Sequence, residues 1–315
     1  MKEPLSQVIL STIGGFIIIL LVLQIRDWIH NEFPKPAENC ENVAQIQFPF
    51  YHNQANDALK QFVHLSNTEK RTIKRSLVSN LISMKQWLDS LNARPYEIIC
   101  FGELHDESTR RFLAEQFFST INPDVLLLEA TPDKLESLIK RMETGRSYFP
   151  LLGADIMSLL RTVRSKNSKI QLYGIEETQK EQNNQLSDLN TRDESLAHNF
   201  WTCYQPGKKH IALLGRLHCA KEPGWFFHTL RAQAPVPLKR KMLSVAVLGE
   251  HQNGPLEAFV YFLQKVGVNL GNFVIPERSH LHPYILHHFE VLTNQIFRKY
   301  DALVVFRKQP RKEAE

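Results

Sequence analysis

Beyond Pro95 the chain repeats one arrangement, a short continuous apolar run followed by a stretch with helical spacing. The runs are Glu97–Phe101 (EIICF), Asp124–Leu128 (DVLLL), Ile170–Ile175 (IQLYGI), His210–Leu214 (HIALL), Met242–Leu248 (MLSVAVL) and Ala302–Phe306 (ALVVF). A strand that is apolar on both faces must be covered on both, and helices between such strands supply the cover. The helical stretches are Asp106–Ser119, Lys134–Glu143, Asp155–Ser165, Arg192–Tyr204, Leu256–Val266 and Pro283–Lys299. The pattern predicts an α/β domain with a largely parallel sheet and flanking helices over residues 94–308.

Composition excludes several other classes. With 43% hydrophobic and 23% charged residues, 13 Gly and 16 Pro in 315, the chain is neither collagen-like nor disordered, and it lacks the internal period of a solenoid. The mean hydropathy of −0.28 argues against a polytopic membrane protein. A balance of 38 basic to 33 acidic residues is mild and spread out, so no nucleic-acid partner is expected. The dense basic group Arg307, Lys308, Arg311 and Lys312 reads as a solvated terminus, with residues 309–315 as a tail.

That average conceals Val8–Ile25 (VILSTIGGFIIILLVLQI), eighteen residues without a charge. As a helix it would span about 27 Å at ~1.5 Å per residue, close to a bilayer core. No small-x-small cleavage site follows in Leu21–His30, so residues 1–30 are read as an uncleaved single-pass membrane anchor with Trp28 at the interface. Lys2 and the amino terminus nearly balance Arg26 and Lys35, and the short N-terminal stub favours an extracytoplasmic domain. Residues 31–93 read as a Pro-containing linker and then an amphipathic helical lead-in. There Leu59, Phe62, Val63, Ile73, Leu77, Leu81, Ile82, Trp87 and Leu88 recur at three and four residue steps, with a break near Ser66 and Asn67. The basic stretch Lys70, Arg71, Lys74 and Arg75 is a solvated face.

Cys40, Cys100, Cys203 and Cys219 have no CxxC spacing. Cys100, inside an apolar run, is read as packing, and outside the cytoplasm a Cys203–Cys219 disulfide is an open arrangement.

Chemistry concentrates where the strands end, the usual ligand edge of an open α/β sheet. EIICF runs into Gly102-Glu103-Leu104-His105 and HIALL into Gly215-Arg216-Leu217-His218, so parallel strands bring both imidazoles to one rim, with each glycine read as permitting a tight turn. Glu129 follows DVLLL, and Glu176 and Glu177 follow QLYGI. Carboxylates and imidazoles there suit acid–base catalysis, water activation or a divalent metal. Thr191 and Glu194 have the spacing of a capping box, which aims Arg192 from a helix start at the cleft. Ser279-His280-Leu281-His282 with His287 and His288 is a surface histidine cluster rather than a metal site.

Taken in order, FGELHD, LLLEA, YGIEE, RDESLAHN and HIALLGRLH resemble the superfamily that joins ChaN-like haem-uptake proteins, erythromycin esterases and Tiki/TraB proteins, over about residues 96–306, and ChaN is the nearest arrangement. The resemblance implies the shared α/β fold and a cleft lined by Glu103, His105, Glu129, Arg192 and His218, with His105, His218 and Glu176 towards a cofactor and Glu103, His105 and His218 as candidate metal ligands. It implies haem or a divalent metal ion as cofactor and haem or iron binding as the leading function. No tyrosine here matches the haem ligand of the family. A water-activating, metal-dependent or metal-free esterase or peptidase is the alternative, without the GxSxG elbow of serine hydrolases, and a non-catalytic membrane-proximal interaction domain is a third.

Overall fold

In the computed structural model the residues described are 54–144, 154–177, 189–249, 254–268, 270–276, 280–289 and 297–306. The apolar run 8–25, the Pro-containing linker 31–50, Cys40 and the basic tail lie outside them. Among the described residues no helix is long and apolar enough to cross a membrane.

The strands are β1 (Ile82–Ser83), β2 (Ile98–Glu103), β3 (Val125–Leu128), β4 (Gln171–Gly174), β5 (His210–Gly215), β6 (Met242–Gly249), β7 (Phe273–Pro276) and β8 (Ala302–Phe306). They form one sheet in the order β1-β7-β8-β6-β2-β5-β3-β4. The pairings among β2, β3, β4, β5, β6 and β8 are parallel, and β7 pairs antiparallel with both β8 and β1. All six apolar runs therefore become strands of a mostly parallel α/β sheet. β1 and β7 are additional. β1 has two residues, too short to leave a pattern in the sequence.

Period-two burial explains the sheet's two-sided core. Along β2, Ile98 and Cys100 pack on one face and Ile99 and Phe101 on the other, all fully covered. The covering helices are α1 (residues 54–64), α2 (Asn67–Asn80), α3 (Met84–Ala93), α4 (Glu107–Phe112), α5 (Pro132–Thr144), α6 (Ala154–Lys166), α7 (Leu189–Cys203), α8 (Phe226–Gln233), α9 (Val236–Lys239), α10 (Gly254–Lys265), α11 (Pro283–His288) and the short α12 (Phe297–Lys299). The expected break at Ser66 is real. Ser66 caps α2, its hydroxyl accepting from Glu69 N–H while the Glu69 carboxylate accepts from Ser66 N–H. The lead-in helices contribute Phe62, Leu77, Trp87 and Leu88 to the core, while Val63 faces out.

Two helices end earlier than their sequence pattern suggests. The stretch 106–119 is α4 followed by a π-helical turn, Leu113–Phe117. The stretch 283–299 holds α11 and α12, with residues 290–296 outside those described. Helix α7 starts at Leu189, two residues before Thr191, so the proposed capping box does not mark its start. Among the described residues the disulfide is Cys100–Cys219, and Cys203 is free. This corrects both readings from the sequence, since Cys100 is bonded rather than merely packed. The reason is register: Cys100 sits in mid-β2 opposite Ala212 of β5, and the chain leaving β5 turns back over it through the 3-10 turn Arg216–Cys219.

Candidate active site

The register Glu103↔Gly215 ends β2 and β5 at the same level, so their exit turns lie side by side. Glu129 leaves β3 next to them, and Glu176 leaves β4 one strand further out. Five of the residues singled out in the sequence, together with Glu176, form one connected cluster.

At its centre stands Glu129. Its Oε2 accepts from the Gly215 backbone N–H at 2.6 Å and lies 3.2 Å from His105 Nε2. Its Oε1 accepts from Arg192 Nη2 at 2.6 Å and lies 3.4 Å from His218 Nε2. Burial opposes a charge on this carboxylate, but the two imidazoles and the amide outweigh it and hold its pKa far below the usual range.

Each imidazole is gripped at its other nitrogen by a second carboxylate. His105 Nδ1 faces Glu103 Oε1 at 3.1 Å, and His218 Nδ1 faces Asp193 Oδ1 at 2.7 Å. Hydrogen bonds to Glu103 and Glu129 raise His105 to about 9. For His218, burial opposes protonation, but Asp193 and Glu129 still raise it to about 9. These partners favour the protonated form of both rings. Arg192 completes the rim with its Nε donating to Glu176 Oε1 at 2.9 Å, its Nη2 bonding the other Glu176 oxygen, and its Nη1 3.3 Å from His218 Nε2.

Two participants were not anticipated from the sequence. Arg110, on α4, donates through Nε to both oxygens of Glu103 at 2.9 and 3.2 Å, and its Nη2 lies 3.1 Å from His105 Nδ1. Asp193, fully buried on α7, holds His218 and accepts from Phe226 N–H at 2.6 Å. Both are charged residues on helices, where the default reading is a solvated face. The available signal was proximity in sequence, since Arg110 is one helical turn past the GELH turn and Asp193 is the neighbour of Arg192.

The glycines act differently from the sequence expectation. Neither is needed for a left-handed turn, because Gly215 has φ −54° and the strained residue of the first turn is His105, at φ 55°. Their role is close approach. A Cβ on Gly102 would stand 2.8 Å from the Arg216 Cα, and one on Gly215 would stand 2.9 Å from His105 Nε2 and 3.2 Å from Glu129 Oε2.

The donor set does not suit a metal. Glu103 already faces Arg110 and His105, and among the described residues no group of three His, Cys, Asp or Glu side chains converges as a metal site. His280 and His282 serve local structure: His280 N–H donates to Asn80, and His282 caps α11 by accepting from Tyr284 N–H. Glu177 is buried beside Glu176 but stands apart from the imidazoles, and one of its oxygens has no hydrogen-bond partner among the described residues.

Fold and site define a class: a mostly parallel α/β domain carrying two carboxylate-held imidazoles around a shared glutamate at the carboxyl ends of its strands. No family model matches the chain, and no curated protein matches it in sequence. Among solved structures, a succinoglycan biosynthesis protein superposes with a TM-score of 0.53 at 12% identity, over 78% of this chain and 98% of that one. A Bacillus cereus protein superposes with a TM-score of 0.43 at 11% identity, over 76% and 97% of the two chains. The first of these likenesses supports the fold and nothing finer.

Proposed function

We propose that the chain is a metal-free hydrolase of the kind found among the esterase-like relatives of the ChaN superfamily, acting on a carbonyl compound. The observation that carries this reading is the convergence of His105 Nε2 and His218 Nε2 on Glu129, with each Nδ1 held by its own carboxylate. Half-exposed His105 is the ring that substrate can reach, its side chain 44% accessible against 8% for His218.

In the proposed cycle a water and the substrate carbonyl enter beside Glu129. The carboxylate takes a proton from the water, whose oxygen bonds to the carbonyl carbon. Arg192 and protonated His218 face the carbonyl oxygen as it becomes an oxyanion. The bond to the leaving group breaks as His105 Nε2–H protonates that group, and Glu129 then returns its proton to His105 across their 3.2 Å contact. Protons balance over the cycle, and no nucleophilic serine is required.

Haem binding draws less support. Iron ligation needs a free imidazole nitrogen, whereas all four ring nitrogens of His105 and His218 face carboxylates. Hydrolysis of a panel of p-nitrophenyl esters and fluorogenic peptides tests the proposal, with turnover expected from wild type and lost in His105→Ala. Equal turnover in the two, or a Soret shift on micromolar haem with no hydrolysis, would sink it.

We also propose that Val8–Ile25 anchors the chain with the domain on the extracytoplasmic side. The Cys100–Cys219 disulfide supports an oxidising compartment. Membrane fractionation of the whole chain against one beginning at Asn31 decides the anchor, which is wrong if both stay in the soluble fraction.

A further inference from the structure

Strand β4 ends the sheet, and among the described residues no strand pairs with its outer side. In a parallel ladder alternate residues bond the same neighbour. Gln171 N–H donates to Asp124 and Ile175 N–H to Leu128, both towards β3, so Leu172 and Gly174 turn their N–H and C=O outward. These groups stand about 6.6 Å apart at ~3.3 Å per residue. Folded proteins usually blunt such an edge with a charge, a proline or a bulge, but Gln171-Leu172-Tyr173-Gly174 has neither charge nor proline.

The edge is the floor of a groove of about 350 Å³. Leu135 and Ile139 of α5, with Glu136 between them, form one wall, and Asn199, Thr202 and Cys203 of α7 form the other. The first wall joins the core layer that takes Leu172, and α7 joins the layer that takes Tyr173, so the walls lie on opposite faces of the sheet. The groove runs into the site, because its lining includes Glu176, the carboxylate that Arg192 holds.

We propose that this groove binds the substrate as an extended polypeptide that adds a strand to β4, with an apolar side chain against Leu135 and Ile139 and small polar side chains towards Asn199 and Thr202. An extended chain presents main-chain donors and acceptors at the spacing of the free edge, and its alternating side chains match walls of alternating character. A compact ester or an aliphatic chain would leave the outward N–H groups unpaired. A segment lying on β4 enters the Glu129 cluster past Glu176. The proposal deepens the hydrolase reading by naming its substrate class, but the binding step requires no turnover.

The test uses the full chain and an acetylated, amidated hexapeptide alternating valine and threonine, with a second copy N-methylated at alternate residues. Hydrogen exchange at single-residue resolution should show the Leu172 and Gly174 amides slowed at least tenfold by the first peptide and unaffected by the second. Leu172→Pro removes one outward N–H without touching the β3 ladder and should weaken binding at least tenfold, whereas Leu172→Ala keeps the N–H and should bind within a few-fold of wild type. Three results overturn the subsite: no protection, equal binding of the N-methylated peptide, or amides already protected in the free chain, as they would be if residues 178–188 of the same chain cover the edge. Ester turnover that persists in any of these cases leaves the hydrolase reading standing, and binding without cleavage of any peptide leaves the subsite standing without it.

Discussion

The two exit turns carry the same letters, glycine, any residue, leucine and histidine, and the molecule makes different objects of them. At the end of β2, His105 sits in a left-handed residue, half-exposed, gripped by Glu103 from its own turn and neighboured by Arg110. At the end of β5, His218 lies in a 3-10 turn, buried, held by Asp193 from a helix, edge-on to Trp225 and followed by a disulfide cysteine. A four-residue motif thus fixes where a ring goes and leaves its surroundings to the rest of the fold. The first ring is open to whatever enters the cleft, and the second is enclosed by the fold.

Substitution of the rings should separate them most sharply. His105→Ala is expected to cost about 10²–10⁴-fold in turnover while stability changes little. His218→Ala should lose comparable turnover and also about 3–5 kcal/mol of stability, because it strands the buried Asp193 charge. Denaturant melts beside turnover assays decide this, and equal stability losses in the two variants would erase the distinction.

Joint replacement of Cys100 and Cys219 by serine should cost about 2–4 kcal/mol, the usual worth of a disulfide. The loss should loosen the His218 turn more than the His105 turn, as read by exchange of their amides. The two glycines sharpen the same contrast. Gly102→Ala meets backbone of the opposite turn and should lower the melting temperature, whereas Gly215→Ala meets the ends of two side chains and should lower turnover first. Activity and melting temperature measured on both variants check this, and the reverse order would refute it.

A pH series supplies the smallest effect. Both histidines have folded-state pKa values raised to about 9 above an ordinary 6.5. Their contribution to stability is therefore complete below about 6.5 and is lost as pH rises through about 9. Stability should fall from pH 7 to 10 in wild type, and the fall should shrink more in His218→Ala than in His105→Ala, whose ring is partly screened by water. Turnover should fall over the same range as His105 loses the proton it gives the leaving group. Asp193→Asn should bring His218 back towards 6.5 and leave His105 near 9, a change visible in the imidazole proton resonances.

Much of this was legible in the residues. Continuous apolar runs gave the six strands that pair in parallel, because burial in the middle of a sheet leaves no polar alternation, and strand ends marked Glu103, His105, Glu129, Glu176 and His218 as carboxylates and imidazoles out of place beside a core. β1 was not legible, since two residues are too few to show a period, and β7, no shorter than β3 or β4, is apolar only over Phe273, Val274 and Ile275 before Pro276 closes it. Arg110 and Asp193 escaped because a charge on a helix is usually solvated, and only tertiary packing turns these two inward. The disulfide was misjudged because Cys100 and Cys219 are separated by 119 residues, and only the strand order makes them neighbours.

That bond also has a kinetic meaning. Both sulfur-bearing residues are wholly covered, one in the central strand and the other at the foot of the His218 turn. A reductant outside the protein meets them only when the middle of the sheet opens. Under excess reductant, the rate at which the native chain loses Cys100–Cys219 therefore counts those openings. The site thus has a built-in clock, and substrate seated at the rim should slow it.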